Sequence, residues 1–177
     1  MNSLNIIFAG FGGQGILFSG KIVAYSGLID KKEVSWLPSY GPEMRGGTAN
    51  CSVCVSENPI GSPLIINPDV LIAMNNPSYD KFISEVVKDG IAIIDSTLVD
   101  RKCNREDVKA YYIPATKMAE DNNLHGLANM IILGKVLKET SFASFETVKK
   151  AISKCVPAKK QHLLEPNLKA VELGYNF

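Results

Sequence analysis

The stretch Leu4-Asn5-Ile6-Ile7-Phe8-Ala9-Gly10-Phe11-Gly12-Gly13-Gln14-Gly15 constrains the fold more than any other part of the chain. A short apolar run reads as a buried strand, and the glycines that follow read as a turn needing backbone freedom. A helical pattern then covers 13–28, with Ile16, Leu17, Val23 and Ala24 among its buried positions and Gly27 and Asp30 near its end. Strand, tight turn and helix together open an α/β unit. The turn's amides and the helix dipole attract an anion, typically a phosphate or carboxylate.

Gly10, Gly12 and Gly15 also satisfy the spacing G-x-G-x-x-G of dinucleotide sites. Such a site needs, in addition, an acid at the end of the second strand to meet the ribose hydroxyls. The second strand is expected over 33–37 and runs into Trp36-Leu37-Pro38-Ser39, whereas Asp30 and Glu33 both precede it. The turn therefore reads as an anion-receptive device, or as one that only packs helix on strand, and not as an NAD site.

Further strands are expected over 48–56, 69–74, 90–95 and 110–113, with an irregular stretch over 58–68. Helical patterns cover 77–88, 115–121, 127–138, 145–155 and 161–173, and Pro166 should interrupt or kink the last of these. Near-continuous apolar strands alternating with helices indicate a sheet covered on both faces. The expected fold is one α/β domain over 1–177: a doubly wound, mostly parallel sheet with helices on both faces and a helical C-terminal third.

Charge narrows the function classes. Lysine and arginine number 19 against 18 acids, so no net field points to nucleic acid or a membrane. The pairs Lys31-Lys32 and Lys159-Lys160 read as solvated surface. No apolar run approaches the ~20 residues of a membrane helix, and no secretion signal opens the chain, so a cytoplasmic location is expected. Cys51-Ser52-Val53-Cys54 is formally a C-x-x-C, but on a strand its two thiols point to opposite faces, Cys51 with Ala49, Val53 and Val55 and Cys54 with Asn50 and Ser52. No metal site is expected. His125 and His162 read as structural or exposed, and no catalytic residue is assigned.

A second motif, Ser39-Tyr40-Gly41-Pro42-Glu43-Met44-Arg45-Gly46-Gly47, follows the second strand. In a doubly wound sheet the loops after the first two strands both emerge at the C-terminal edge, where ligands bind. Arg45 is suited to a phosphate or carboxylate, or to an ion pair with Glu43 or another acid.

Together, G-x-G-G-Q-G and S-Y-G-P-E-x-R-G-G resemble the gamma subunit of 2-oxoacid:ferredoxin oxidoreductases. Asn129-Met130 with Leu133-Gly134, and the segment from Asn167 to Tyr175, extend the resemblance over nearly the whole chain. It implies a thiamine-diphosphate enzyme that decarboxylates a 2-oxoacid, reduces ferredoxin through iron–sulfur clusters and forms an acyl-CoA. It also implies that thiamine diphosphate and the clusters sit in partner subunits, with no cofactor held tightly here and the isolated chain inactive. The implied partners are alpha and beta subunits, a ferredoxin-like delta subunit as a further one, ferredoxin through the complex, and CoA. For CoA, or for partner contact, the candidate residues are Gly10, Gly12, Gly13, Gln14, Gly15, Ser39, Tyr40, Gly41, Glu43, Arg45 and Gly46. The segment 36–51 looks most like the 2-oxoglutarate branch, with pyruvate, branched-chain and indolepyruvate relatives sharing the core motifs. A free-standing nucleotide- or CoA-binding regulatory module is the alternative.

Overall fold

The computed structural model describes residues 3–39 and 48–177. Among them, six strands build one sheet: β1 (Ser3–Phe11), β2 (Glu33–Ser39), β3 (Thr48–Ser56), β4 (Val70–Ala73), β5 (Ile91–Asp95) and β6 (Lys109–Ile113). Their spatial order is β2-β3-β1-β4-β5-β6. The β1–β4, β4–β5 and β5–β6 pairs are parallel, while β3 runs antiparallel to both of its neighbours. The helices are α1 (Ile16–Ile29), α2 (Asn76–Phe82), α3 (Ala115–Asp121), α4 (Ala128–Thr140), α5 (Phe145–Cys155) and α6 (Leu164–Asn176).

Successive side chains of a strand face opposite ways, so an apolar run feeds two cores at once. On one face Ile6, Phe8, Val53, Ile72 and Ile93 pack with Ile22 and Val23 of α1, Met130 and Ile131 of α4, Ile152 of α5 and Ala170 of α6. On the other, Ile7, Ala9, Leu71, Ala73, Ala92 and Ile94 meet Tyr79, Phe82 and Val86. Each fully buried aliphatic side chain contributes roughly 1.5–3 kcal/mol. The doubly wound, mostly parallel α/β fold with a helical C-terminal third is as expected, but the faces are unequal. Among the described residues, α2 and the 3-10 turn at Ile83–Glu85 are the helical cover of the second face.

Three local expectations need correction. α1 starts at Ile16 rather than 13, because Gly15 adopts left-handed dihedrals (φ 74°, ψ 16°) as the residue before the helix. The helix expected over 77–88 ends at Phe82, passes through a 3-10 turn at Ile83–Glu85 and becomes extended at Val86 (ψ 132°). Arg105 makes that early stop tolerable: its Nη1 donates to the carbonyls of Ile83, Ser84 and Val86 at 3.2, 3.4 and 2.6 Å. Its Nε donates to Asp107 at 3.0 Å, and the guanidinium holds that carboxyl below the usual carboxylate range. Pro166 lies in the first turn of α6, following a 3-10 run over Ala158–Leu163, so it opens the helix instead of kinking it.

Cys51 and Cys54 lie on opposite faces of β3, as the alternation requires. Cys51 belongs to the α1-side core, and Cys54 pairs across the strands with Asn5 and Ser35. Both are buried, Cys54 as well as the expected Cys51. Burial pushes the Cys51 thiol up to about 12 despite an opposing hydrogen bond with Trp36. It also raises Cys54, helped by the Asp69 charge, and raises Cys155 against the pull of Lys21. Only the thiolate attacks a disulfide reagent, so an aromatic disulfide at pH 8 is expected to modify Cys103, the half-buried thiol, well before the other three. Native-state labelling mapped by mass spectrometry checks this, and early modification of Cys51 would contradict its placement. No helix among the described residues is long and apolar enough to cross a membrane.

Candidate functional site at the sheet's C-terminal edge

β1 and β4 are adjacent and parallel, but their connections part. The chain leaves β1 through α1 on one face towards β2, and leaves β4 through α2 on the other face towards β5. Such a divergence opens a crevice at the carboxyl ends of the two strands. The glycine loop sits there.

Gly13 (φ 93°) and Gly15 (φ 74°) both need left-handed dihedrals, but their surroundings differ. A Cβ on Gly13 would meet nothing within 4 Å, whereas one on Gly15 would come within 2.5 Å of Asn129 Nδ2. Asn129, at the start of α4, ties this turn down. Its Nδ2 donates to the Gly15 carbonyl at 3.1 Å and to Ser19 Oγ at 3.0 Å. Gln14 is tied as well: its Oε1 accepts the Phe11 amide at 2.6 Å and its Nε2 donates to the Met74 carbonyl at 3.1 Å. Gln14 thus laces β1 to the end of β4 across the crevice, so its side-chain amide shapes the loop and is already engaged. Gly10 is the close-approach position beside it, since a Cβ there would crowd Gln14 Oε1 at 2.6 Å.

Two hollows flank the loop. One, about 250 Å³, lies over the crevice and is lined by Gly13, Gln14, Met74, Leu98, Thr116 and His125. Its wall is braced by buried Asp95, which accepts from the amides of Thr97 and Thr116 and from Thr116 Oγ1 at 2.5 Å. The other, about 310 Å³, is lined by Phe11, Gly12, Gly15, Ile16, Leu17 and Ala49. Ala49 stands at the start of β3, just past the second motif. The first turn of α1 points amides without intrahelical partners at this side.

Strand register decides whether the two motifs share an edge. Asn50 pairs with Ala9 of β1 and with Ser39 of β2, so the two strands end at the same edge, β1 running two residues further. The loop entered from exposed Ser39 therefore departs from the same edge as the glycine loop. Tyr40, Gly41, Glu43, Arg45 and Gly46 lie outside the described residues.

The strand order also removes the basis of a dinucleotide site. β3 stands between β1 and β2, so an acid ending β2 would sit about 10 Å from β1, two strand spacings away. Asp30 is occupied elsewhere, accepting from Thr147 Oγ1 at 2.9 Å where α1 meets α5. His125 is exposed at the rim of the crevice. Motif reading alone did not identify Ser19, Asp95 or Thr116 as supports of the site. Asn129 was visible only as part of a helix motif. Among the described residues, no group of three or more His, Cys, Asp or Glu could hold a metal ion.

Comparison with known proteins bears on what this edge serves. The family described as pyruvate ferredoxin/flavodoxin oxidoreductase matches residues 5–177. The 2-oxoglutarate synthase subunit KorC of Methanocaldococcus jannaschii is 38% identical over 173 residues, covering 96% of this chain and 91% of the relative. The ketoisovalerate oxidoreductase subunit VorA of Methanothermobacter thermautotrophicus is 36% identical, covering 97% of this chain but 35% of the relative. The gamma subunit of a keto/oxoacid ferredoxin oxidoreductase from Geobacter sulfurreducens superposes with a TM-score of 0.87 at 28% identity, covering 99% of this chain and 96% of that one. A 2-oxoglutarate:ferredoxin oxidoreductase from Magnetococcus marinus, with 2-oxoglutarate, coenzyme A and succinyl-CoA bound, superposes with a TM-score of 0.88 at 26% identity. This chain spans 99% of itself there and 31% of that larger chain.

Proposed function

Because the chain belongs to the pyruvate ferredoxin/flavodoxin oxidoreductase family as a gamma-type subunit, we propose that its two glycine-rich loops receive the CoA phosphates and help seat it on its partner subunits. The carrying observation is the shared register of Ala9 and Ser39 on Asn50, which brings both loops out at one edge. In this reading Gly12, Gly13 and Gly15 allow close approach, the first amides of α1 meet an anion, and Arg45 supplies a charged donor. Gly10 and Gln14 hold the loop's shape. The alpha and beta subunits carry thiamine diphosphate, the clusters lie in other chains, and a ferredoxin-like delta subunit and ferredoxin receive the electrons. The substrate read here is 2-oxoglutarate, supported by the identity to KorC and by the Magnetococcus enzyme. The nearly equal identity to VorA makes a branched-chain 2-oxoacid the competitor.

Exposed apolar residues support the docking half of the role. Phe11 in the glycine loop is 39% exposed, and Trp36 and Leu37 on the edge strand β2 are 38% and 36% exposed. Membership in a multi-subunit oxidoreductase family sets aside the free-standing module.

Arg45→Ala in the assembled complex tests the assignment. Loss of a charge-assisted bond to a CoA phosphate should weaken CoA by about 1.5–3 kcal/mol, roughly ten- to a hundredfold. Reduction of the clusters by 2-oxoacid should survive better than release of acyl-CoA. Should Arg45 serve the interface instead, size-exclusion chromatography will show failed assembly and both half-reactions will fall together. Unchanged CoA affinity in an intact complex removes Arg45 from the site. Assaying the same complex with 2-oxoglutarate, 2-oxoisovalerate, pyruvate and indolepyruvate decides the substrate.

A further inference from the structure

The segment 147–164 holds five lysines, one histidine and no acid, in a chain whose net charge is only +1. The rest of the chain is therefore net negative. Secondary structure gathers the lysines at one corner. α5 buries Thr147, Val148, Ala151, Ile152 and Cys155, and its opposite face shows Lys149, Lys150 and Lys154 to solvent. The 3-10 run at Ala158–Leu163 then exposes Lys159, Lys160 and His162. Glu146 and Glu165 flank the stretch, but among the described residues none of the five lysines is in an ion pair.

The corner lies at the glycine-loop end of the molecule. α5 runs antiparallel to α1: Thr147 at its start bonds to Asp30 at the end of α1, and Cys155 at its end feels the charge of Lys21 in the first half of α1. Lys160 and Gly15 border the same cavity. The basic stretch therefore ends at the edge that also exposes Phe11. Like charges at i,i+4, as at Lys150 and Lys154, are slightly destabilising, and an apposed acidic surface relieves that repulsion.

The surroundings select the kind of acidic partner. A membrane surface would want an apolar helix face to insert, but Val148 and Ile152 of α5 are already buried in the main core. Nucleic acid is favoured by aromatic side chains among the bases, and 147–164 contains no Phe, Tyr or Trp. A second copy offers no match, because no segment of the chain has a comparable excess of acid. Another subunit of the same oxidoreductase remains as the partner, and a charged rim beside an apolar contact is the usual anatomy of such an interface.

We propose that this basic corner docks against an acidic surface on another subunit of the oxidoreductase, steering assembly at the glycine-loop edge. The proposal rests on the docking role inferred above.

The rate at which the chain associates with its purified remaining subunits, followed by biolayer interferometry, provides the test. Raising salt from about 50 to about 500 mM should slow association about tenfold or more. Lys150→Glu/Lys154→Glu/Lys159→Glu should associate about tenfold more slowly than the parent at low salt and lose most of the salt dependence. Lys88→Glu/Lys102→Glu/Lys109→Glu makes the same change in net charge at exposed positions elsewhere, and should associate within about threefold of the parent. If the first triple variant does not fold, Lys159→Glu alone with the salt series decides. Association that ignores salt, or a reversed variant that associates as its control does, would overturn the proposal. Unchanged assembly with loss of binding to heparin or to phosphatidylserine vesicles would make the corner a polyanion surface, and unchanged assembly with weakened CoA would make it a small-anion site; either result also overturns it. A chain that joins its subunits at no salt concentration fails the docking role itself, whereas one that joins them independently of these lysines fails this proposal alone.

Discussion

Gly174→Ala is expected to lower the melting temperature of the chain by about 6–12 °C, corresponding to about 3 kcal/mol of lost stability. At an exposed helical position the same change would stabilise by about 0.5–1 kcal/mol. Here the sign reverses because α4 and α6 cross with their backbones in contact. A Cβ on Gly174 would overlap the Ile131 carbonyl oxygen, and one on Gly134 would overlap the Val171 carbonyl oxygen. Backbone atoms cannot swing away as a side-chain tip can, so the helices must separate. That separation would loosen Met130, Ile131, Val136, Ala170 and Val171, all buried in the main core. Gly134→Ala should behave alike, and the double variant should fall short of additivity because each change forces the same separation. Gly61→Ala, in open space, serves as the control and should stay within about 0.5 kcal/mol. Thermal and urea unfolding check the set; a Gly174→Ala chain as stable as the parent would show that the crossing is looser than described.

The second large effect is expected at Gly15→Ala. Left-handed dihedrals disfavour a side chain by about 1–2 kcal/mol, and the added carbon would press on Asn129. Asn129 cannot yield freely, because its bonds to Gly15 and Ser19 hold α4 against α1. A total loss of about 3 kcal/mol follows, together with a distorted glycine loop. Gly13→Ala makes an informative partner. Its backbone is equally left-handed, but the Cβ enters empty space, so about 1–2 kcal/mol is expected and the loop should keep its course. In the assembled complex, Gly15→Ala should therefore impair both folding and CoA-dependent turnover. Gly13→Ala should lose stability by backbone strain and otherwise act only where a ligand or partner approaches the loop. Equal stability of the two variants would mean that Asn129 does not guard the turn. Melting curves paired with CoA titrations distinguish the cases.

The sequence by itself determined most of the elements. Hydrophobic period, glycine, proline and cap residues act within a turn or two of helix, so β3, β5, β6, α3 and α5 lie within a residue or so of expectation. The opposite faces of Cys51 and Cys54 followed from strand geometry alone. Elements governed by distant partners were less legible. α2 ends early beside Arg105, about twenty residues downstream, whose guanidinium takes up the freed carbonyls. The insertion of β3 between β1 and β2 follows from pairing that no local pattern encodes, and it separates the glycine loop from any acid on β2.

The candidate site divides the same way. The glycines at 10–15 read as a turn because glycine adopts left-handed dihedrals without penalty, but that Gly13 and Gly15 take them, ahead of a helix drawn from 13, is decided by the structure. Whether Gln14 reaches for a ligand or laces β1 to Met74 depends on β4, sixty residues on, being its parallel neighbour. Asn129 guards Gly15 across 114 residues. Local preferences are set by a residue's own dihedrals and its near neighbours, and they survive in the unfolded chain. Strand order, register and the partners of buried amides exist only once distant segments exclude water together, and only the tertiary structure decides them.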